Sequence, residues 1–229
     1  MSTALVVGAT AGIGQAIARR LLAEGWTVVG IGRREATIAE DRYRHVRADV
    51  QAPSYRTDLV AALDGKTLDV CIYATGIGRE LDISTFAGEA SVFATNLVGM
   101  AVTAEVVIPR MIAARAGHFV GLSSQADRLI DDYAPSYAAS KAGMSAYLEG
   151  LALACRPHGV AVTNIRFGFV DTEMSRAQPS RPFLITAERA ATLVERCLRR
   201  RPIRFTHPWR MAVVLWLLGL GRRMRVWLS

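Results

Sequence analysis

The chain has 229 residues, which is enough for one well-packed α/β domain and short for two. Apolar residues make up 51% of it and charged residues 21%, as in an ordinary globular protein. The net charge of +8 arises at the C-terminal end, where residues 181–229 contain eleven arginines and only Glu188 and Glu195 as acids. Binding of nucleic acid would rest on this charge alone, because interleaved aromatic residues and a recognised motif are missing. We therefore do not expect nucleic acid as a partner.

The N-terminus and the cysteines favour a cytoplasmic protein. Met1 and the two residues after it lead directly into an apolar, strand-like run, so we expect no secretory signal. The cysteines Cys71, Cys155 and Cys197 are odd in number and lack metal-ligand spacing. We therefore expect buried, reduced thiols, no metal site and a cytoplasmic location.

Short apolar runs alternate with longer amphipathic stretches, which is the pattern of repeated βα units around a parallel sheet. Strands are predicted at 3–9, 27–31, 44–48, 68–74, 117–123 and 160–167. Helices are predicted at 13–24, 54–63, about 88–115, 136–155 and 187–199. Gly25 and Gly159 mark the ends of two of these helices. We expect residues 1–205 to form one catalytic domain and residues 206–229 to be a basic, apolar appendage of it.

A glycine-rich turn connects the first predicted strand to the first helix. Gly8 permits a tight turn, Gly12 lets a pyrophosphate approach the backbone, and Gly14 lets the helix pack closely on the strand. The N-terminus of the helix then faces the anion. A glycine-rich turn can be purely structural, but this strand–turn–helix setting favours a dinucleotide site.

The second predicted strand ends at Gly32 and is followed by Arg33 and Arg34. An NAD-specific site usually has a carboxylate here, whereas guanidinium groups match the 2′-phosphate of NADP. The competing interpretation is a pair of solvated arginines at a strand end. We expect NADP(H) as the preferred cofactor, NAD(H) as the alternative, and Asp49 and Val50 beside the adenine.

Ser124, Tyr137 and Lys141 are the candidate catalytic residues. Tyr137 and Lys141 are four residues apart, which places both side chains on one face of a helix. A phenol has an ordinary pKa of about 10, and a nearby ammonium group together with oxidised nicotinamide is expected to lower it. Tyr137 then exchanges a proton with a carbonyl or alcohol oxygen that Ser124 holds, while Lys141 also binds the nicotinamide ribose.

Taken alone, this short pattern also suits a helix with a packed tyrosine and a solvated lysine. Its order along the chain favours a site, because the glycine loop, Asn96, Ser124 and Tyr137 follow one another on elements that converge at the carboxyl edge of a parallel sheet. Lys141 is moreover one of only two lysines in the chain, Lys66 being the other.

With these residues in place, the chain resembles the short-chain dehydrogenase/reductase family, of the single-domain, non-extended type, over about residues 3–200. The thirteen residues from Ser124 to Tyr137 and the four from Tyr137 to Lys141 carry the resemblance. It implies an α/β fold with a doubly wound, Rossmann-like parallel sheet of about seven strands and helices on both faces. It also implies that Asn96 completes a catalytic tetrad by supporting a water-linked proton relay to Lys141.

The resemblance implies further cofactor contacts, with Val170 and Thr172 at the nicotinamide carboxamide. The full set of cofactor-binding residues expected from the motifs and the resemblance is Gly8, Thr10, Gly12, Ile13, Gly14, Arg33, Arg34, Asp49, Val50, Ala74, Gly76, Asn96, Tyr137, Lys141, Val170 and Thr172. The family also implies a homodimer or homotetramer formed through the helices at about 88–115 and 136–155.

Three positions depart from the family's pattern. Val7 stands where a threonine usually precedes the first glycine, and Tyr73-Ala-Thr-Gly76 stands where the family has Asn-Asn-Ala-Gly. Phe167 replaces a proline beside the nicotinamide, so it either alters the loop at 168–180 or shapes the pocket. None of these changes removes a group from the expected proton relay.

The sequence leaves several interpretations of the substrate loop and of the C-terminal tail. The segment 173–185 is where the family places its substrate loop, and its apolar residues with Arg176 and Arg181 suit an apolar carbonyl compound, an anionic one, or an ordinary surface loop. Beyond Thr206, the apolar residues 211–220 are too few to span a membrane. The tail therefore suits a helix packed on the substrate cleft or on another subunit, or a helix lying in a membrane interface.

The expected function is that of an NADP(H)-dependent oxidoreductase, which transfers a hydride between nicotinamide and a carbonyl or alcohol. Preference for the 2′-phosphate favours the reductive direction, as an inference from the family. Two alternatives remain open: a catalytically silent NADP(H)-binding regulatory protein, and a peripheral membrane protein whose tail has the main role.

Overall fold

A seven-stranded parallel sheet is the frame of the protein in the computed structural model, which describes residues 2–36, 38–63, 65–176 and 178–228, without the side chains of residues 220, 222, 223, 225 and 228. In chain order the strands are β1 Thr3–Val7, β2 Thr27–Gly32, β3 Tyr43–Arg47, β4 Val70–Tyr73, β5 His118–Ser124, β6 Ala161–Phe167 and β7 Arg204–His207. Their order in the sheet is β3-β2-β1-β4-β5-β6-β7, and every neighbouring pair is parallel.

The helices are α1 Gly12–Ala23, α2 Tyr55–Ala62, α3 Glu89–Phe93, α4 Gly99–Ala113, α5 Pro135–Cys155, α6 Ala187–Arg200 and α7 Trp209–Leu228. A π-helical segment, Ala94–Val98, joins α3 to α4 in one continuous helix. The doubly wound fold expected from the sequence is confirmed. Positive φ angles at Gly25 (+88°) and Gly159 (+78°) also confirm the predicted ends of α1 and of the long helix before β6.

Two apolar layers hold the helices on opposite faces of the sheet. Successive residues of a strand point to opposite faces, so Leu5 belongs to the layer with α2, α4 and α5, and Val6 to the layer with α1 and α6. Strands buried on both faces explain why the predicted strands are almost continuously apolar. The three cysteines are free and buried, as predicted.

The helix Glu89–Ala113 is, among the described residues, the one long and apolar enough to cross a membrane, with a hydropathy of 1.7 in its most apolar window. More than half of that window is buried inside the domain. Its apolar residues therefore serve as one side of the protein core, between α2 and α5.

The C-terminal residues belong to the sheet and then leave it. β7 pairs with β6, so the predicted division after residue 205 falls inside a strand. α7 follows and packs on a short 3₁₀ helix, Gln125–Arg128, which comes directly after β5. The tail is thus placed beside the carboxyl edge of the sheet, where the predicted site residues lie.

Candidate active site

The glycine loop has the close packing that its sequence predicts. Gly8 has φ +93° and its N–H donates to the Ile31 carbonyl at 2.7 Å. A Cβ at Gly8 would lie 2.7 Å from the Thr75 amide nitrogen, and one at Gly14 would overlap the Gly8 carbonyl oxygen. Gly12 has φ +54°, and a Cβ there would meet the Thr172 methyl group at 3.1 Å. These positions keep the backbone bare at the N-terminus of α1, which is the surface that a pyrophosphate requires.

The other predicted cofactor residues surround this loop. Thr10 packs against Gly32, Ala74 lies beside Gly14, and Val50 lies beside Gly99. Val170 is buried in the layer with α1 and α6, and Ile13 packs against the same layer. The structure thus brings the ends of β1, β2, β3, β4 and β6 to one edge, as a dinucleotide site at the switch in strand order requires.

Arg33 and Arg34 are both exposed and both face acids at the cofactor side of the sheet. The Arg33 guanidinium lies 4.0 Å from the Asp49 carboxylate, and the Arg34 guanidinium lies 3.0 Å from the Glu173 carboxylate. Arg33 therefore leans toward the predicted adenine position, and Arg34 reaches across to the residue after Thr172. Glu173 was not predicted from the sequence. Its carboxylate pairs with Arg34, which is one of the two residues predicted to bind the 2′-phosphate.

Ser124, Tyr137 and Lys141 meet where β5 ends and α5 begins. The Ser124 hydroxyl lies close enough to the Tyr137 phenol to lower the pKa of that phenol, and the Ser124 oxygen accepts from the Ala126 N–H at 3.2 Å. The Lys141 ammonium lies 5.8 Å from the centre of the Tyr137 ring. It is buried and donates to the Leu122 carbonyl at 3.0 Å. The three side chains therefore form one cluster, with a serine and a lysine on either side of the phenol.

Burial controls the proton affinities in this cluster. Desolvation raises the pKa of Tyr137, and the Ser124 hydroxyl offsets part of that rise. Desolvation lowers the pKa of Lys141 to about 8. The expected net lowering of the phenol pKa is not seen in the protein without cofactor, because desolvation outweighs the effect of Ser124.

Asn96 lies in the π-helical segment and is completely buried. Its side-chain oxygen accepts from the Ile77 N–H at 2.8 Å, and its amide donates to the Ile77 carbonyl and the Ser140 hydroxyl, each at 2.9 Å. Ser140 in turn donates to the Tyr137 carbonyl at 2.8 Å. Asn96 is thereby tied to the catalytic helix, and π-helical turns are frequent at functional sites.

Gly76 is the point at which Asn96 and Lys141 converge. A Cβ there would lie 3.2 Å from the Asn96 side-chain oxygen and 3.3 Å from the Lys141 ammonium. A side chain would therefore enter the space between the two predicted relay residues. Ser140 is a further contact that the sequence reading missed, although its position three residues after Tyr137 places it on the same side of α5.

Tyr73 replaces one of the family's asparagines and has a structural role. It is fully buried, and its hydroxyl donates to the Thr95 carbonyl at 2.5 Å. Gly99 makes room for it, since a Cβ there would lie 2.5 Å from the phenol oxygen. This hydrogen bond therefore holds the π-helical segment in place at Thr95, the residue before Asn96.

A buried ion pair supports the segment after Ser124. Asp127 pairs with Arg166 of β6, with the Arg166 Nε at 2.6 Å, and accepts from the Ser145 hydroxyl at 2.6 Å. The Ser145 and Ser123 hydroxyl oxygens lie 3.0 Å apart. This network connects β5, α5 and β6 around Ser124, and no signal in the linear sequence pairs Asp127 with Arg166.

Phe167 is 2% exposed and packs in the layer with α1 and α6. Its register partner on β7 is His207, and the chain then turns through Gly168. Its side chain is therefore part of the core.

Comparisons with known proteins identify the family of the chain. The family model described as "short chain dehydrogenase" matches residues 2–182. An uncharacterized oxidoreductase of Myxococcus xanthus (strain DK1622) is 33% identical over 226 residues, covering 92% of this chain and 89% of that protein. The chain belongs to the short-chain dehydrogenase family.

Solved structures share the whole fold at low identity. A short-chain dehydrogenase from Sphingobium yanoikuyae in complex with NADPH has a TM-score of 0.82 at 21% identity, over 99% of this chain and 95% of that one. A 4-hydroxyisoleucine dehydrogenase complexed with NADH has a TM-score of 0.82 at 18% identity, over 90% and 96%. The fold thus accommodates either nicotinamide cofactor in these neighbours.

Proposed function

We propose that the protein is an NADP(H)-dependent reductase of carbonyl compounds that can also oxidise the corresponding alcohols. The observation that carries the proposal is the contact of the Ser124 hydroxyl with the Tyr137 phenol, beside a buried Lys141 ammonium. The buried lysine has a destabilised charge beside a partly buried phenol, which is costly in a merely structural cluster and useful in proton transfer.

The chain's own residues have distinct roles in this proposal. The bound cofactor supplies or accepts the hydride. Ser124 holds the carbonyl oxygen by its hydroxyl, and Tyr137 delivers the phenolic proton to that oxygen or withdraws it in the reverse direction. Lys141 stabilises the resulting phenolate and binds the ribose. Asn96, held by Ile77 and Ser140, keeps the helix that carries the relay in place.

The direct test is a panel of ketones, aldehydes and alcohols, assayed by nicotinamide absorbance for the wild type and for Tyr137→Phe. We expect Tyr137→Phe to lower turnover by about 10²–10⁴-fold, because the proton donor is lost. Cofactor binding, followed by fluorescence, should remain. Tyr147→Phe is the matched control, since Tyr147 lies on the same helix and packs against the core.

Unchanged turnover in Tyr137→Phe contradicts the catalytic assignment. Cofactor binding without turnover of any panel compound by the wild type favours instead a silent nucleotide-binding protein. The two outcomes are separable because the first requires an active wild type and the second an inactive one.

The preference for NADP(H) is supported by Arg33, which is exposed beside Asp49 and has no other ion-pair partner among the described residues. Arg33→Ala should weaken NADPH binding by about 10–100-fold, the value of one or two charge-assisted hydrogen bonds, and should change NADH binding little. Titration with both cofactors measures this. Arg56→Ala, which removes an exposed arginine paired with Glu105 on another face, should change neither.

We further propose an apolar carbonyl substrate. Met174, Phe183 and Leu184 in the loop after β6 are each 40% or more exposed. Arg181 is engaged by Asp171 at 3.0 Å, so it is a poorer anchor for an anionic substrate than the sequence alone indicates. A series of ketones of increasing chain length should show kcat/KM rising with length, and a preference for acidic ketones contradicts this.

Assembly and location complete the proposal. Val98 and Leu153, in the two helical stretches that the family resemblance assigns to assembly, are 54% and 68% exposed. Their exposure supports a homodimer or homotetramer formed through this layer, and the free, buried cysteines support a cytoplasmic location. Light scattering of Leu153→Glu tests it, with loss of assembly as the expected result.

A further inference from the structure

α7 lies along the end of the domain where β5 ends at Ser124. Only one side of this helix contacts the domain. Its first turn packs against the start of the loop after β6, where a Cβ at Gly168 would meet the Met211 sulfur at 2.7 Å. Two turns later, a Cβ at Gly219 would lie 2.7 Å from the Arg128 carbonyl oxygen. Leu215 lies between them and is partly buried. α7 is therefore anchored four residues from Ser124.

The opposite side of α7 is apolar and exposed. The exposed large apolar side chains of α7 are Trp209, Val213, Val214, Trp216, Leu217, Leu218, Met224, Val226 and Trp227, with Trp209 at 67% and Trp227 at 88% exposure. A continuous exposed apolar surface of this kind marks a site for binding another partner.

The charge of α7 indicates the chemistry of that partner. The sequence from Trp209 to Leu228 has Arg210, Arg222, Arg223 and Arg225 and no aspartate or glutamate. A second copy of α7 would bring the same four positive charges without one carboxylate to pair with them, which is repulsive. An anionic lipid surface supplies the opposite charge, worth about 1 kcal/mol for each arginine near it.

The geometry favours lying on a bilayer over crossing it. The apolar stretch Trp209–Gly219 has about 11 residues and a length of about 16 Å, roughly half of a hydrocarbon core. The contacts with Gly168 and Arg128 also keep one side of the helix on the domain. Tryptophans and arginines are the residues that settle at the boundary between lipid headgroups and acyl chains.

We propose that α7 docks the protein on an anionic membrane surface, with its tryptophan-bearing side inserted at the interface. Since α7 contacts both Gly168 and Arg128, docking brings the segments that follow Ser124 and Phe167 next to the lipid. The proposal concerns binding and stands whether or not the reductase activity is found.

The test is co-sedimentation of the full-length protein with vesicles of phosphatidylcholine alone and of phosphatidylcholine mixed with phosphatidylglycerol. We expect binding to the mixed vesicles that weakens as salt is added, and little binding to the neutral ones. The variant Trp216→Glu/Leu217→Glu should lower the bound fraction about tenfold or more, because it places two charges where apolar area is buried.

Val60→Glu is the matched control, because Val60 is an exposed apolar residue on α2 and lies outside the helical stretches assigned to assembly. It should leave vesicle binding unchanged. Circular dichroism and melting of each variant show that the fold is intact, which is expected since the replaced side chains are exposed. Three results would each overturn the proposal. The first is equal vesicle binding by the wild type and the α7 variant, and the second is no binding of the wild type to anionic vesicles. The third is a change from oligomer to monomer in the α7 variant when the wild type does not bind vesicles.

Discussion

The candidate catalytic cluster and α7 both pack against the 3₁₀ helix Gln125–Arg128, but they differ in their exposure to water. In the cluster, Asn96 and Lys141 are withdrawn from water and bonded to backbone carbonyls or neighbouring hydroxyls. On α7, tryptophan and leucine side chains are left in solvent. Both arrangements cost free energy in the isolated chain.

The difference between them shows what each region requires. A buried polar cluster whose members satisfy one another is complete within the chain, so it can be tested with the protein and its cofactor alone. An exposed apolar surface is incomplete without something outside the chain. Substitutions in the domain interior probe the buried side of this comparison, and vesicle binding probes the exposed side.

The largest effect is expected for Lys141→Met. Turnover should fall by about 10²–10⁴-fold, because the charge that stabilises the phenolate and binds the ribose is lost. Thermal stability at neutral pH should stay equal or rise, since a buried ammonium with a lowered pKa is replaced by an apolar side chain of similar length. Steady-state kinetics and melting curves measure the two effects.

The pH dependence of stability identifies the same lysine. Its pKa is about 8 in the folded protein and 10.5 as the ordinary value, so between these pH values the unfolded chain binds more protons. Stability therefore rises with pH across this window in the wild type. Lys141→Met should lack that rise, and an identical rise in both proteins contradicts the burial of a charged Lys141.

A smaller effect is expected for Tyr73→Phe. Loss of the bond to the Thr95 carbonyl should cost about 1–3 kcal/mol of stability and lower kcat severalfold, because the π-helical segment that carries Asn96 is released. Tyr55→Phe is the matched control, since its buried hydroxyl bonds to Thr103 at 2.7 Å in the same apolar layer. It should cost similar stability and leave kcat unchanged. An equal loss of kcat in both variants means that Tyr73 is only structural.

The smallest effect is expected at a buried polar residue outside the site. His118 is buried, and desolvation followed by the charge of Arg201 lowers its pKa to about 4 from 6.5. Below pH 6.5, His118 binds a proton in the unfolded chain but not in the folded protein. Stability is therefore lost as the pH falls toward 4.

Replacing His118 by Gln should make unfolding in urea less sensitive to pH between 6.5 and 4, with activity at neutral pH unchanged. His158→Gln is the control, because His158 is exposed. A wild-type slope that persists in His118→Gln would assign the acid sensitivity to other groups.

Six strands and five helices were predictable because their signals are local. β-branched runs predict strands buried on both faces, and glycines at positive φ end the helices at the expected positions. β7 was not located from the sequence, because Arg204–His207 is short and polar and becomes a strand only by pairing with β6. The predicted membership of the catalytic and cofactor-binding sets stays a prediction that the mutants above address.

By itself, the sequence determined the βα order, the glycine loop and the spacing from Ser124 to Tyr137 to Lys141, since each is a local pattern of a few residues. Only the tertiary structure decided that Tyr73 fastens the segment of Asn96, that Glu173 faces Arg34, and that burial raises the pKa of Tyr137. It also decided which side of α7 is covered. These facts depend on contacts between residues far apart in the chain and on exclusion of water, and neither is encoded in a local pattern.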